Sequence, residues 1–311
     1  MICGSALADP LPWSFAMKQG QRRTNLAGWM FVSPFLLIFT FTLVVPILYS
    51  FWLSLFQDTL VGGSRFVGLN NYARVLQDEN FWRGVRTTVT YGIILVPILL
   101  VASVALALLL DTRYAKAASF FRVSLFIPYA VPGVVAALLW GYLYGPTFGP
   151  LTQVAVALGF PAPPLLSSDW MLFSIANIGF WELLGYKMII VYAALKAIPP
   201  ELEEAALVDG SSTLQYAFLV KIPMVSSAIL LNAIFSIIGT LQLFNQPQIL
   251  KAMAPAVINN HYTPNIYARS LAFVGQQYNY AGAVSFLLAA IVAILSFAVL
   301  YLAGRRGRKS A

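Results

Sequence analysis

Residues 87–110 read TTVTYGIILVPILLVASVALALLL, 24 consecutive positions without a charged side chain. As an α-helix rising about 1.5 Å per residue, this stretch is about 36 Å long, enough to cross the roughly 30 Å hydrocarbon core of a bilayer. Five further runs pass the same test, at 29–55, 123–144, 170–195, 223–244 and 281–303. Of the six, only 170–195 carries charges, Glu182 and Lys187. The expected fold is an all-α integral membrane protein with six transmembrane helices, which places both termini on the same side.

Composition agrees. Of the 311 residues 59% are hydrophobic and 10% charged, with a mean hydropathy of +0.78. Soluble domains average about 45–50% apolar and about 25% charged. A soluble enzyme, a nucleic-acid binder and a disordered chain are all disfavoured. The net charge of +8 has a topological explanation, because Lys and Arg collect in cytoplasmic loops. Lys18, Arg22, Arg23, Arg113, Lys116, Arg122, Lys196, Lys221, Arg305, Arg306, Arg308 and Lys309 fall on one side of the six spans. Arg65, Arg74, Arg83, Arg86, Lys251 and Arg269 fall on the other. The richer side is expected to be cytoplasmic and to hold both termini, with no nucleic acid needed to explain the charge.

The single cysteine, Cys3, and single histidine, His261, offer neither a disulfide nor a metal site. No cleavable signal peptide is evident, since the first apolar run exceeds a signal core. The organisation is a segment 1–28, a membrane domain 29–303 and a basic tail 304–311 suited to anionic lipid headgroups. Pro34, Pro46, Pro97, Pro128 and Pro132 interrupt the spans. They suit kinked helices around a central path, although proline is common in membrane helices anyway. Outside the membrane, Asn70 is placed to cap a short surface helix carrying Tyr72, Val75 and Leu76. The Gly/Pro-rich segment after the third span reads as ordered turns.

The loop 198–222 stands apart. Pro200 suits a first helical position, and Glu201, Glu203 and Glu204 crowd a first turn, where the helix dipole favours anions. Gly210 suits a left-handed stop, and Ser211 or Ser212 can cap a second helix. Ala205 and Ala206 leave a shallow face on which another backbone could lie. Composition alone favours the plainer reading, good helix formers in a solvated loop.

The spacing Glu204-Ala205-Ala206, Asp209-Gly210 and a later Pro223 resembles the EAA motif of permease subunits of ATP-binding-cassette importers. The resemblance covers about residues 28–305. It includes Phe66-Val67-Gly68-Leu69-Asn70-Asn71-Tyr72 with Phe81-Trp82, Ile127-Pro128 with Trp140, and Tyr280-Ala281-Gly282-Ala283, all similar to the carbohydrate-type permeases. The chain departs from the pattern at Ala217, where an aromatic is usual, and at Ala252-Met253-Ala254-Pro255, where Gly-Gly-Pro is usual. The second departure bears on the substrate. The resemblance implies the type I importer permease fold in a bacterial inner membrane. It also implies a second permease as heterodimer partner, two separate ATP-binding subunits and an extracytoplasmic solute-binding protein. Glu203, Glu204, Ala205, Ala206, Leu207, Asp209, Gly210 and Ser211 would couple to the ATPase. The chain has no Walker A sequence, so it is expected to be non-catalytic and to bind no cofactor, with ATP and Mg in the partner ATPase.

A second candidate site lies in the membrane. Charged groups there are costly and normally face a cavity or a partner. Glu182 with Asn177, Trp181 and Tyr186 on the fourth span, and Asn232, Gln242 and Asn245 on or after the fifth, offer the chemistry a sugar path needs. Amides and acids bond hydroxyls, and aromatic faces stack on rings. The same groups also suit hydrogen bonding between helices, and Lys187 could snorkel to the inner surface. The leading expectation is a sugar importer subunit. The alternatives are a polyol or glycerol phosphate on the same architecture, or a proton-coupled secondary transporter using Glu182.

Overall fold

The computed structural model describes residues 28–59, 63–112 and 117–307, the last few by backbone alone. Cys3, Lys18, Arg22, Arg23, Arg113, Lys116, Arg308 and Lys309, with nearly all of the segment 1–28 and the end of the tail, lie outside the described residues. Residues up to 53 and residues from 54 onward form two units, each taken by itself.

The first unit contributes helix α1, Gly28–Ser54, apolar on all sides. Its turn Thr40–Val44 is π-helical. Pro46 follows after Val45; its ring has no N–H to give and crowds the carbonyl four residues back, and a widened turn accommodates both.

The second unit opens with an antiparallel hairpin, β1 (Phe56–Thr59) and β2 (Gly63–Phe66), paired Phe56 to Phe66. Helix α2, Asn70–Leu76, follows. Asn70 does not cap it: the cap position is Leu69, with no side-chain bond, and Asn70 is already helical. Its neighbour Asn71 is the working amide. Buried, it donates to the carbonyls of Ser54 and Phe56, both at 2.8 Å, and so ties α2 to the start of the hairpin.

Helix α3, Glu79–Asp111, contains the opening stretch and begins eight residues before it. Asp78 caps it, accepting from the Asn80 N–H at 2.9 Å. Helix α4, Ala118–Phe126, runs into a 3-10 turn at Ile127–Ala130, and helix α5, Gly133–Leu143, leaves at 97°. The run 123–144 is therefore not one continuous helix, as its apolarity suggested. Pro132 pushes Val131 out of the helical region to an extended ψ of 126°, and the helix cannot continue. Helix α6, Pro150–Ala157, sits within the Gly/Pro-rich segment, which is ordered.

Helix α7, Met171–Leu195, is the fourth span. Helix α8, Glu201–Val208, and helix α9, Thr213–Tyr216, follow, the latter continuing through a π-helical turn to Lys221. Helix α10, Ser226–Leu241, breaks at residues 242–244 and resumes as α11, Asn245–Leu250. Helix α12, Pro264–Phe273, and helix α13, Tyr278–Gly307, complete the chain. Among the described residues, five helices are long and apolar enough to span, and six if the bent pair counts as one.

The helices α3 and α7 form the centre. Tyr91, Leu95 and Leu99 pack on Met171, Ile175 and Ile178, joined by Ala136, Leu250 and Ile266. Towards one end Ala107 meets Met188, Val191 and Leu195. Towards the other, Val75 and Phe81 meet Tyr280 and Val284. Small residues permit close approach, as membrane packing demands. A Cβ on Gly179 would lie 2.6 Å from the Tyr91 hydroxyl, and one on Gly185 only 1.8 Å from the Leu125 carbonyl oxygen.

Candidate functional site

A cavity of about 450 Å³ opens within the second unit, walled by α3, the turn before α5, α7, α10 and the break before α11. Glu182 lies in its wall. The Gln246 amide donates to Glu182 Oε2 at 3.2 Å. The bend before α5 lies against the same carboxylate, since a Cβ on Gly133 would sit 3.2 Å from Oε1. Tyr186 stacks on Tyr129 at 4.4 Å with rings 8° from parallel, and both line the cavity. Gln242 and Asn245 reach it because α10 ends there. The non-helical backbone at 242–244 is tolerated inside a membrane bundle only where it lines such a space.

The sequence-derived path residues divide. Glu182, Tyr186, Gln242 and Asn245 line the cavity. Asn177, Trp181 and Asn232 do not. Asn177 donates to the Tyr144 hydroxyl at 2.8 Å, beside a separate apolar groove. Trp181 packs edge-on against Trp140 at 5.8 Å. Asn232 is fully buried and joins helices: its amide donates to the Lys187 carbonyl at 3.0 Å, and Lys187 Nζ donates to the Asn232 carbonyl at 3.4 Å. Tyr91, Tyr129, Ser236, Thr240 and Gln246 also line the cavity and were not singled out from the sequence. Gln246 had a signal available, a run Asn245-Gln246 directly after an apolar span. Lys187 is 4% exposed yet borders the cavity, with the Tyr186 ring 5.7 Å and the Phe235 ring 6.0 Å from its ammonium.

The loop 198–222 has the expected local form. Pro200 is the cap residue of α8 rather than its first helical residue. Gly210 adopts φ +75°, the left-handed conformation that glycine enters without a Cβ penalty. The Ser211 N–H donates to the Ala206 carbonyl at 2.9 Å and the Gly210 N–H to Leu207 at 3.1 Å, the paired bonds of a Schellman stop. Ser212 and Gln215 close a capping box. No side chain of α8 is buried. Glu204, Ala205, Asp209 and Gly210 are exposed, while Glu203, Ala206 and Ser211 are half-buried. Leu207 is 58% and Val208 87% exposed. Apolar side chains this open, on a short helix flanked by acids, suit a surface that meets another protein.

At the opposite end, Asp78 also accepts from the hydroxyls of Tyr267 (2.6 Å) and Tyr280 (2.8 Å). Burial alone would raise its carboxyl. The two tyrosine bonds and the backbone N–H groups of Asn80 and Phe81 outweigh that and hold it below its ordinary value. Among the described residues, no group of His, Cys, Asp and Glu could hold a metal ion.

A polar, aromatic-walled cavity inside a bundle of apolar helices, with an unburied helix presented between two spans, belongs to a membrane transport protein. No family model matches the chain. It is 31% identical over 291 residues to the lactose transport system permease protein LacF of Rhizobium radiobacter, covering 92% of this chain and 97% of that one. It is 28% identical over 284 residues to the trehalose/maltose transport system permease protein MalF of Thermococcus litoralis, covering 91% and 94%. A solved bacterial ABC transporter involved in import of the acidic polysaccharide alginate contains a chain of the same fold, at TM-score 0.81, 19% identity and coverage of 93% and 99%. The chain belongs to the permease subunits of carbohydrate-type ABC importers. It is a multi-pass inner-membrane transport component, not an enzyme. The proton-coupled alternative gives way to that membership.

Proposed function

We propose that this chain pairs with a second permease to form the path for a sugar or sugar derivative that a solute-binding protein delivers. The observation that carries the reading is the composition of the cavity wall. Glu182, Gln242, Asn245 and Gln246 supply hydroxyl-bonding groups, and Tyr91, Tyr129 and Tyr186 supply ring faces. A glycerol phosphate is a poorer match, because the cation of Lys187 shares the wall with the carboxylate of Glu182. The relatives' sugars, lactose and trehalose or maltose, define the first compounds to try.

In this reading α8 is the coupling helix. Glu204 pairs with a basic group of the ATPase, the open faces of Leu207 and Val208 enter its groove, and Gly210 sets the turn back towards the membrane. ATP and Mg are bound by two partner ATPase subunits, and this chain binds no cofactor of its own. The charge asymmetry of the loops supports a cytoplasmic position for α8 and both termini.

The test is a mild-detergent pull-down of tagged wild-type chain and Glu204→Lys, with uptake measured in parallel. The wild type is expected to recover a second six-span chain and a Walker A ATPase. Glu204→Lys is expected to lose the ATPase and transport together. Unchanged uptake by Glu204→Lys would remove α8 from the coupling role. Glu182→Gln with full uptake and unchanged sugar preference would remove Glu182 from the path.

A further inference from the structure

The helix α8 fully buries none of its side chains, and only Glu203 and Ala206 are half-buried, so packing fixes it less than it fixes the spans. Behind it lies a space of about 370 Å³, bordered by Ile198, Pro199, Pro200, Glu203 and Tyr216. Its flanks supply a further hold. The chain leaves α7 at Lys196, and it re-enters the membrane domain after Lys221. Both lysines converge on one carboxylate, that of Asp111, the last residue of α3. Lys196 Nζ lies 2.7 Å from Oδ1, and Lys221 Nζ lies 2.6 Å from Oδ2. The Asp111 side chain is 6% exposed and that of Lys221 12%, so one arm is shielded from solvent screening; Lys196, at 54%, forms the outer arm.

We infer that Asp111 is a positioning residue that brackets both ends of the coupling loop, so that α8 and the end of α7 move as one rigid body. This rests on the reading of α8 as the coupling helix. The chemistry suits the task. A carboxylate has two oxygens and can accept from two ammonium groups at once, in directions fixed by its plane. Neutralising it does more than remove two attractions. It leaves two like-charged lysines facing each other with no negative charge between them, so the flanks are pushed apart. The Asp111 hydrogen bond also holds the Lys196 ammonium above its ordinary value, which keeps the outer arm charged. Glutamate keeps the charge and the two oxygens at one methylene's greater reach; asparagine keeps the size and loses the charge.

The experiment uses the assembled importer in nanodiscs. The chain carries Cys3→Ser and paired spin labels at Ala193→Cys on α7 and Glu201→Cys on α8, both exposed positions outside the surface assigned to the ATPase. Electron–electron double resonance gives the distance between them with and without MgATP. With Asp111 present, a narrow distribution unchanged by MgATP is expected. With Asp111→Asn the distribution is expected to broaden about twofold and to shift with MgATP, and Asp111→Glu is expected to restore most of the narrow form, as ion-pair positioning requires. A distribution in Asp111→Asn equal to that of the parent overturns the proposal, as does a parent whose distance itself shifts with MgATP. If Asp111→Asn fails to assemble, Lys196→Gln removes only the exposed arm, and a distribution there equal to the parent's overturns the proposal equally. Failure of the coupling reading is separate, because it appears as ATPase retention and uptake surviving Glu204→Lys, whereas the widths of the distributions recorded before MgATP is added test the bracket by itself.

Discussion

Gly185 is the position at which one methyl group should do most damage. It lies in the middle of α7, where the carbonyl of Leu125 from α4 passes directly over its Cα. A Cβ would come to 1.8 Å from that oxygen, 2.3 Å from its carbon and 2.8 Å from the Phe126 nitrogen. All three are backbone atoms, so no side chain can rotate away. Ordinary contact begins near 3.4 Å, so α4 and α7 must separate by about 1.6 Å to admit Ala. Overpacking in a well-packed core costs about 1–3 kcal/mol and occasionally more, and a clash with fixed backbone belongs at the upper end. The separation would also disturb the Tyr129–Tyr186 stack one residue away, and with it one wall of the cavity. Gly239 on α10 is the matched control, with nothing within 4 Å of its Cβ position. There Ala should be neutral or stabilising by up to about 1 kcal/mol through helix propensity. The assay is thermal unfolding of the detergent-purified chain, followed by a thiol-independent fluorescence signal. Gly185→Ala should lower the apparent Tm by roughly 5–10 °C, scaling from about 2–4 °C per kcal/mol for a chain of this size. Gly239→Ala should leave it within a degree or two or raise it. Equal melting curves for the two variants would refute the claim that backbone approach, rather than helix propensity, sets the requirement for glycine at 185.

Two further outcomes follow from the same geometry. Asp78→Asn should destabilise the end of the bundle that holds the α3 N-terminus, because the carboxylate accepts from Tyr267, Tyr280 and the α3 backbone together; charge-assisted bonds of this kind are each worth about 1.5–3 kcal/mol. Since the native Asp78 pKa is depressed, its contribution is complete above the unfolded value near 3.8 and fades as pH falls through the lower native value; melting from pH 7 to pH 3 should show an acid decline that Asp78→Asn flattens. Gly210→Ala forces a Cβ into a φ of +75° at a cost of roughly 1–2 kcal/mol. Hydrogen exchange of the Gly210 and Ser211 amides should accelerate while that of α3 stays unchanged, and an unaltered exchange rate at those two amides would contradict the left-handed stop.

Much of this architecture is legible in the sequence because its causes are local. The spans follow from apolar run length, since a bilayer asks each helix to satisfy its own backbone and nothing more. The start and stop of α8 follow from Pro200, the acidic first turn and Gly210, whose effects act within one turn. What was misread had distant causes or competing local ones. Asn70 and Asn71 are equally good amides in sequence, and only the passage of the Ser54–Phe56 backbone past the second made it the anchor. Pro132 is visible in 123–144, but a tolerated kink and a 97° bend have the same composition.

The cavity shows the division most plainly. A charge within a membrane span is costly, so the sequence itself marked Glu182 as facing something polar. That the partner is Gln246, 64 positions away, depends on where α10 breaks and how α11 folds back over α7. Asn177, Trp181 and Asn232 carry the same chemistry as the lining residues, yet they serve Tyr144, Trp140 and Lys187 instead. Residue type and spacing determined which segments enter the membrane, which loop is a capped helix and which family the chain resembles, because these depend on desolvation and one-turn hydrogen bonding. Tertiary structure alone decided which polar side chains meet in one space and that Asp111, Lys196 and Lys221 converge, because such meetings depend on helix contacts that no local pattern encodes.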